Sequence, residues 1–271
     1  MSTPTLLLID VGNSRIKYWF HHTERHPLMA DSQASAVAHS GCLPTDELRT
    51  QWHHDAQTYG APVEIRISHV ASTDLYEQLV ALCAQLWPNA SIRRIRTRAQ
   101  HPRLTLGYDE QQMGSDRYAQ ILGAQNISHD RDHVVISAGT ALTIDSVLTG
   151  GQHIGGVISA GLKLMRTALH QYTAQLPLDG GDISFDHAPQ QTRDALASGV
   201  MLSAVGAVSV FVQKFQVQHV SDMPQLLFCG GDAVALMHYC QHMPALAALP
   251  MRHTPALCLL GLLEMLEMSK H

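Results

Sequence analysis

Leu6-Leu7-Leu8-Ile9-Asp10-Val11-Gly12-Asn13-Ser14-Arg15-Ile16-Lys17 is the stretch on which the fold turns. An apolar, β-rich run ends on an acidic residue, turns tightly at Gly12-Asn13 and continues as a second apolar strand over Ile16–Phe20. The same outline returns as Val134-Val135-Ile136-Ser137-Ala138-Gly139-Thr140-Ala141, with Leu142–Val147 as its second strand. Gly12 and Gly139 stand 127 positions apart, nearly half of the 271-residue chain. A repeat at that spacing predicts two similar halves, each offering a strand–turn–strand hairpin to one cleft.

Outward from the hairpins the segments alternate in an α/β manner. Val63–Val70 reads as a half-buried strand, and Asp74–Trp87 as a helix capped by Ser72 or Thr73 and stopped by Pro88. Ile92–Ile95 is a short strand and Asp116–Gln125 a helix. Ile154–Ile158 is a strand, Leu162–Gln171 a helix, Leu226–Cys229 a strand, and Ala233–Cys240 and Ala256–Met268 are helices. Between Ala195 and Val212 there is no charged residue, a length that raises the question of a membrane span. Ser198, Gly199, Ser203, Gly206 and Ser209 dilute that run, and Arg193, Asp194 and Lys214 flank it. A buried, tightly packed helix is the expectation.

Composition narrows the function. Lys and Arg number 18 against 23 Asp and Glu, a net charge of −5, which argues against a nucleic-acid binder because phosphate contacts need a basic face. Only 15% of residues are charged, below the usual quarter, so some surface is expected to be covered in an oligomer. The N-terminal apolar run ends at Asp10, too short for a signal peptide. Five cysteines without a CxxC pair read as reduced thiols of a cytoplasmic protein. The 18 histidines form no zinc signature; His238 and His242, one helical turn apart, are the nearest approach.

The chemistry concentrates at the strand ends. A carboxylate at Asp10 can hold a hydrated magnesium ion, Gly12 lets backbone N–H groups approach a phosphate, and Asn13, Ser14 and Lys17 add donors and a cation. An ordinary hairpin would use the same turn residues. Gly139 and Thr140 could donate to further phosphate oxygens, and Asp145 could lie near the ion or cap a turn. Cys229-Gly230-Gly231-Asp232 is a third strand end with room for close approach. Asp116, in Gly114-Ser115-Asp116-Arg117, is either a helix cap or a general base beside an arginine that holds a carboxylate. No Walker A loop and no G-x-G-x-x-G fingerprint occurs, so ATP, if bound, is bound by the two hairpins.

Taken together, these segments resemble the type III pantothenate kinases of the acetate and sugar kinase/actin superfamily. The matching pieces are Asp10 to Lys17, Gly114 to Arg117, Gly139 to Asp145, Gly155-Gly156-Val157-Ile158-Ser159-Ala160-Gly161 and Gln191-Thr192-Arg193-Asp194-Ala195. The resemblance implies an α/β fold of two ribonuclease H-like (actin-like) domains, each a mixed sheet with flanking helices and ATP in the cleft between them, with halves at 1–125 and 126–271. It implies a cytoplasmic homodimer that transfers the ATP γ-phosphoryl group to pantothenate, the first step of coenzyme A synthesis.

The resemblance also assigns residues. Asp10, Val11, Gly12, Asn13, Ser14, Arg15, Ile16, Lys17 and Thr140 would bind ATP, with Asp10 holding magnesium through water. Tyr108, Gly114, Ser115, Asp116 and Arg117 would contact pantothenate, with Asp116 as base. Thr192 would reach pantothenate in the neighbouring subunit. Ser137 stands where many members carry an aspartate that binds a monovalent cation, so dependence on K+ or NH4+ is not expected. Tyr108 lies six residues before Gly114 without the proline usual in the family, and Ala160-Gly161 replaces a family Pro-Gly. The alternatives are a kinase of this fold acting on a different hydroxyl, such as a sugar or acetate kinase, and a non-catalytic ATP-binding regulator.

Overall fold

The computed structural model describes residues 4–22, 34–218 and 223–264. Two units emerge: the residues up to His129 together with those from Ala256 onward, and Asp130–Pro255.

In the first unit, β1 (Thr5–Val11) pairs antiparallel with β2 (Arg15–His22), and β2 in turn with β3 (Ser35–Ala38). On the other side of β1, β4 (Pro62–His69) and β5 (Ser91–Arg94) add in parallel, giving the order β3-β2-β1-β4-β5. Parallel pairing needs crossovers. These are α1 (Thr45–Tyr59) and α2 (Thr73–Leu86), the latter capped by Ser72, whose Oγ accepts from Leu75 N–H at 3.3 Å. Leu7, Ile9, Ile65, Ile67, Leu75, Leu79 and Trp52 fill the space between sheet and helices. The small strands β6 (Gln100–His101) and β7 (Leu104–Thr105) pair with each other ahead of α3 (Ser115–Ile127).

The second unit repeats this plan. An antiparallel run of β8 (His133–Ala138), β9 (Ala141–Leu148) and β10 (Gln152–Ala160) is followed by α4 (Leu162–Tyr172) and α5 (Thr192–Gln218). Then β11 (Gln225–Cys229), α6 (Ala233–Gln241) and β12 (Met251–His253) extend the sheet in parallel. Read from β10 the order is β10-β9-β8-β11-β12, strand for strand that of the first unit. The repeat seen in the two hairpins is therefore the visible part of a duplicated ribonuclease H-like topology. The uncharged helix α5 is long and apolar enough to cross a membrane by composition alone. More than half of it is nevertheless buried, with Met201, Ala204, Val205, Val208 and Val212 in one core cluster with residues of β8 and β9.

The division of the chain differs from the expected 1–125 and 126–271 in two respects: the boundary falls at 129/130, and the chain returns to the first unit at Ala256. The C-terminal helix α7 (Leu257–Leu263) packs in the first unit, against α3. Two glycines make this approach possible: a Cβ on Gly123 would strike the Leu257 carbonyl, and one on Gly261 the Ala119 carbonyl. Arg66 of β4 fastens the other end of α7, its Nη1 donating to the carbonyls of Leu262 (3.0 Å) and Leu263 (2.9 Å) while Glu64 balances its charge at 2.8 Å. A cation here satisfies carbonyls that the helix leaves open at its C-terminus. Residues 265–268, the expected end of this helix, lie outside the described residues. The elements β3, α1, β6, β7 and β12 have no counterpart in the reading from sequence.

Candidate active site

Strand register builds the first unit's site. Lys17 on β2 and Ser68 on β4 are the partners of Asp10 on β1, so the three form one row across adjacent strands. Val11 and Ile16, the next pair, are fully buried core residues, so only their backbone can face a ligand. Asn13, Ser14 and Arg15 are exposed at the turn, which is closed by Gly12 N–H donating to Arg15 O at 3.0 Å.

Asp10 is the last residue but one of β1, and its Oδ1 is a buried oxygen without a hydrogen-bond partner. Burial raises its pKa to about 6. Lys17 and a hydrogen bond from the Cys258 thiol work against that rise, while the Asp116 carboxylate adds to it. An anionic oxygen left unsatisfied at a strand end fits a hard cation such as magnesium, which prefers carboxylate and water oxygens. Cys258, from α7, is buried with its thiol pushed well above the ordinary range, first by burial and then by Asp10 and Asp116. It is therefore a thiol, not a thiolate, in the electrostatic neighbourhood of two carboxylates.

Asp116 is not the helix cap. Gly114 occupies the cap position of α3, without a side-chain cap bond, and Asp116 is the second helical residue. Its Oδ1 lies 2.8 Å from where a Cβ on residue 114 would stand, so the carboxylate occupies space that Gly114 leaves open. Ser115 Oγ donates to the His69 carbonyl at 3.1 Å, which directs its lone pairs, not its proton, toward any ligand. Arg117 is buried, and its guanidinium sits 5.0 Å from the centre of the Tyr108 ring. Thr97 Oγ1 donates to Met113 O at 3.0 Å and pins the segment just before the motif. The first unit thus gathers Asp10, Lys17, Asp116, Ser115, Arg117 and Tyr108.

In the second unit the corresponding row is Thr143–Ser137–Cys229, with no charge in it. Thr140 is exposed at the turn, as a nucleotide contact requires. Asp145 neither caps a turn nor faces an ion: it lies within β9, 1% exposed, and its Oδ1 is 2.9 Å from Nε2 of the fully buried His153. Thr192 is the exposed first residue of α5. Asp194 and Ser198 of the same helix accept from the backbone N–H groups of Asp182 and Ser184, both at 2.9 Å, and fix the loop ahead of it. His242 Nδ1 lies 2.7 Å from the His238 carbonyl, so that histidine pair is tied to its own helix.

The sequence profile of type III pantothenate kinases matches residues 6–214. The chain belongs to the type III pantothenate kinase family. A family member from Psychrobacter cryohalolentis is 30% identical over 270 residues, covering 98% of this chain and 99% of its own. Among solved structures, a Campylobacter jejuni protein assigned to the Baf family of transcriptional activators superposes with a TM-score of 0.55 at 21% identity, covering 95% of this chain and 96% of its own. A propionate kinase from Francisella tularensis gives 0.52 at 11% identity, covering 96% and 98%. At such identities these two likenesses speak for the fold alone. Cys258 carried no signal in the sequence. Ser68 could have been found from the register of β1 against β4.

Proposed function

We propose that the protein transfers the γ-phosphoryl group of ATP to the primary hydroxyl of pantothenate, the first step of coenzyme A synthesis. The observation that carries this reading is the meeting of two carboxylates, Asp10 and Asp116, in one electrostatic neighbourhood, in a chain of the type III pantothenate kinase family. The Asp10–Lys17 turn binds the ATP phosphates through backbone N–H groups and Lys17, and Thr140 adds a contact from the second hairpin. Asp10 holds magnesium through water; when bound, the ion supplies neutralisation of charge on the β- and γ-phosphates. Arg117, steadied on Tyr108, binds the pantothenate carboxylate, and Ser115 accepts a hydrogen bond from the substrate.

Asp116 takes the proton of the attacking hydroxyl as the new O–P bond forms. The bond from the γ-phosphorus to the bridging oxygen breaks, and ADP leaves with that electron pair. Positioning and charge neutralisation carry most of such a reaction. With Ser137 in the uncharged row, the rate does not depend on K+ or NH4+.

The enzyme works as a cytoplasmic homodimer. Among the residues of α4 none is buried, and Leu164, Leu169 and Tyr172 on it are exposed, as are Val157 and Ile158 of β10 and Leu202 and Val210 of α5. An apolar face of this kind calls for a partner, and a second copy of the chain brings Thr192 to the neighbouring pantothenate. The scarcity of charge in the composition is then the imprint of that face.

ADP release by purified protein with magnesium-ATP tests the reaction: turnover that requires pantothenate supports it, and none sinks it. Light scattering tests the assembly, where a 30 kDa particle at working concentration contradicts the dimer.

A further inference from the structure

We propose that His39 is a positioning residue for the nucleotide, holding the Gly12–Ser14 turn so that the Asn13 amide is presented to a phosphate. This deepens the function proposed above and rests on it.

His39 follows the last residue of β3, whose Ala38 is the partner of Arg15. Three hydrogen bonds link it to the turn and to its own loop. Its backbone N–H donates to Ser14 O at 3.0 Å. Its Nε2 lies 2.8 Å from Gly12 O, and Gly41 N–H donates to its Nδ1 at 3.2 Å. An amide N–H can only donate, so Nδ1 carries a lone pair; a carbonyl can only accept, so Nε2 carries the proton. The two ring contacts therefore select one tautomer of a neutral imidazole.

Peptide planarity turns this contact into a statement about phosphate binding. In a trans peptide the C=O of one residue and the N–H of the next point in opposite directions. Tying the Gly12 carbonyl to His39 turns the Asn13 N–H away from His39, at a turn where Asn13 and Ser14 are exposed. A donor already aimed costs nothing to reorient when the anion arrives. Because the ring is neutral, its contribution is one of direction, whereas that of Lys17 is one of charge.

The test measures binding of a non-hydrolysable ATP analogue with magnesium by calorimetry, on wild type, His39→Ala, His39→Gln, His39→Asn and Lys17→Ala. His39→Ala is expected to weaken binding roughly 3- to 10-fold, the net worth of one hydrogen bond or slightly more. His39→Gln, whose amide nitrogen reaches the same carbonyl, is expected to recover most of it, and His39→Asn, which is too short, is not. In steady-state assays the KM for ATP rises while that for pantothenate stays within about twofold. Added salt shrinks the Lys17→Ala deficit and leaves the His39→Ala deficit intact.

A wild type that binds no nucleotide overturns the parent reading and this one with it. If wild type binds and Lys17→Ala weakens binding while His39→Ala matches wild type, only the role of His39 falls. Should His39→Ala fail to fold, equal affinities for the Gln and Asn variants overturn the proposal, and a Gln variant tighter than Asn sustains it.

Discussion

The two hairpins share a topology and almost nothing else. In the first, Lys17, Asp10 and Ser68 form a row with both charges in it, and a side chain, that of His39, joins the backbone in holding the turn. In the second the row is Thr143, Ser137 and Cys229, and the turn is held by backbone. Gly161 N–H donates to Thr140 O and Asp232 N–H to Ala138 O, both at 3.0 Å. A Cβ on Gly161 would collide with the Gly139 carbonyl and one on Gly230 with the Ala138 carbonyl; Gly230 also has φ +99°, which other residues rarely adopt. The two copies thus share a scaffold, while the charged row stands in one and the closest glycine–backbone packing in the other.

If the chemistry lies in the first copy, removing the proton acceptor there is the most damaging change. Asp116→Asn is expected to lower kcat by about 10²- to 10⁴-fold, the usual range for a general base. Melting temperature should stay close to wild type, because Gly114, not Asp116, caps α3. Turnover undiminished in the Asn variant removes Asp116 from this role.

The contrast between the turns can be broken directly by the same substitution in each. Gly161→Ala drives a methyl group into backbone, which has no rotamer by which to yield, and overpacking of this kind costs about 1–3 kcal/mol. Gly12→Ala meets only the Arg15 carbonyl at 3.4 Å, and φ at Gly12 is unexceptional, so thermal unfolding should hardly change. Equal losses in the two variants would show that the turns are supported alike.

This asymmetry also explains what could be read from the sequence. Both hairpins were legible because strand alternation and turn chemistry are local. The division of the chain was not: Leu257–Leu263 follows the second unit in sequence yet packs in the first, and only the facing Gly123 and Gly261 reveal this. The helix α1 went unseen because its buried residues are only Leu48 and Trp52, too few to set a periodic pattern. Asp145 could lie near the ion or cap a turn on sequence grounds and is instead paired with His153, eight residues away, on a strand whose register shifts between His153 and Gly155. Asp116 could be a cap or a base on sequence grounds, and Gly114 at the cap position removes the first of these readings.

The loan of α7 to the first unit is itself testable at Arg66. Replacing Arg66 by Met keeps much of the buried volume and removes two hydrogen bonds to the carbonyls of Leu262 and Leu263. Charged hydrogen bonds of this kind are worth about 1.5–3 kcal/mol each at most, and Glu64 is left with only Arg93, 3.6 Å away, so a clear fall in melting temperature is expected. Because α7 also carries Cys258, magnesium-ATP affinity should fall as well. If only stability changes, α7 supports the unit without shaping the Asp10 site.

The smallest effect is a pH dependence that separates the charged row from the neutral one. Asp10 titrates near 6 in the folded, ligand-free protein and in the ordinary carboxylate range when unfolded, so the folded state holds its proton more tightly. The stability this proton confers is fully present below about pH 4 and is lost as the pH rises through 6. Asp10→Asn carries no charge at any pH and escapes the loss. Its melting temperature relative to wild type should therefore climb by a few degrees between pH 5 and about 7.5, even as its nucleotide binding is abolished. Ser137→Ala, at the corresponding position of the second row, should track wild type across the same range. A gain for Asp10→Asn that is constant with pH would mean the carboxylate is already solvated, and the difference between the rows would then be one of ligand contact alone.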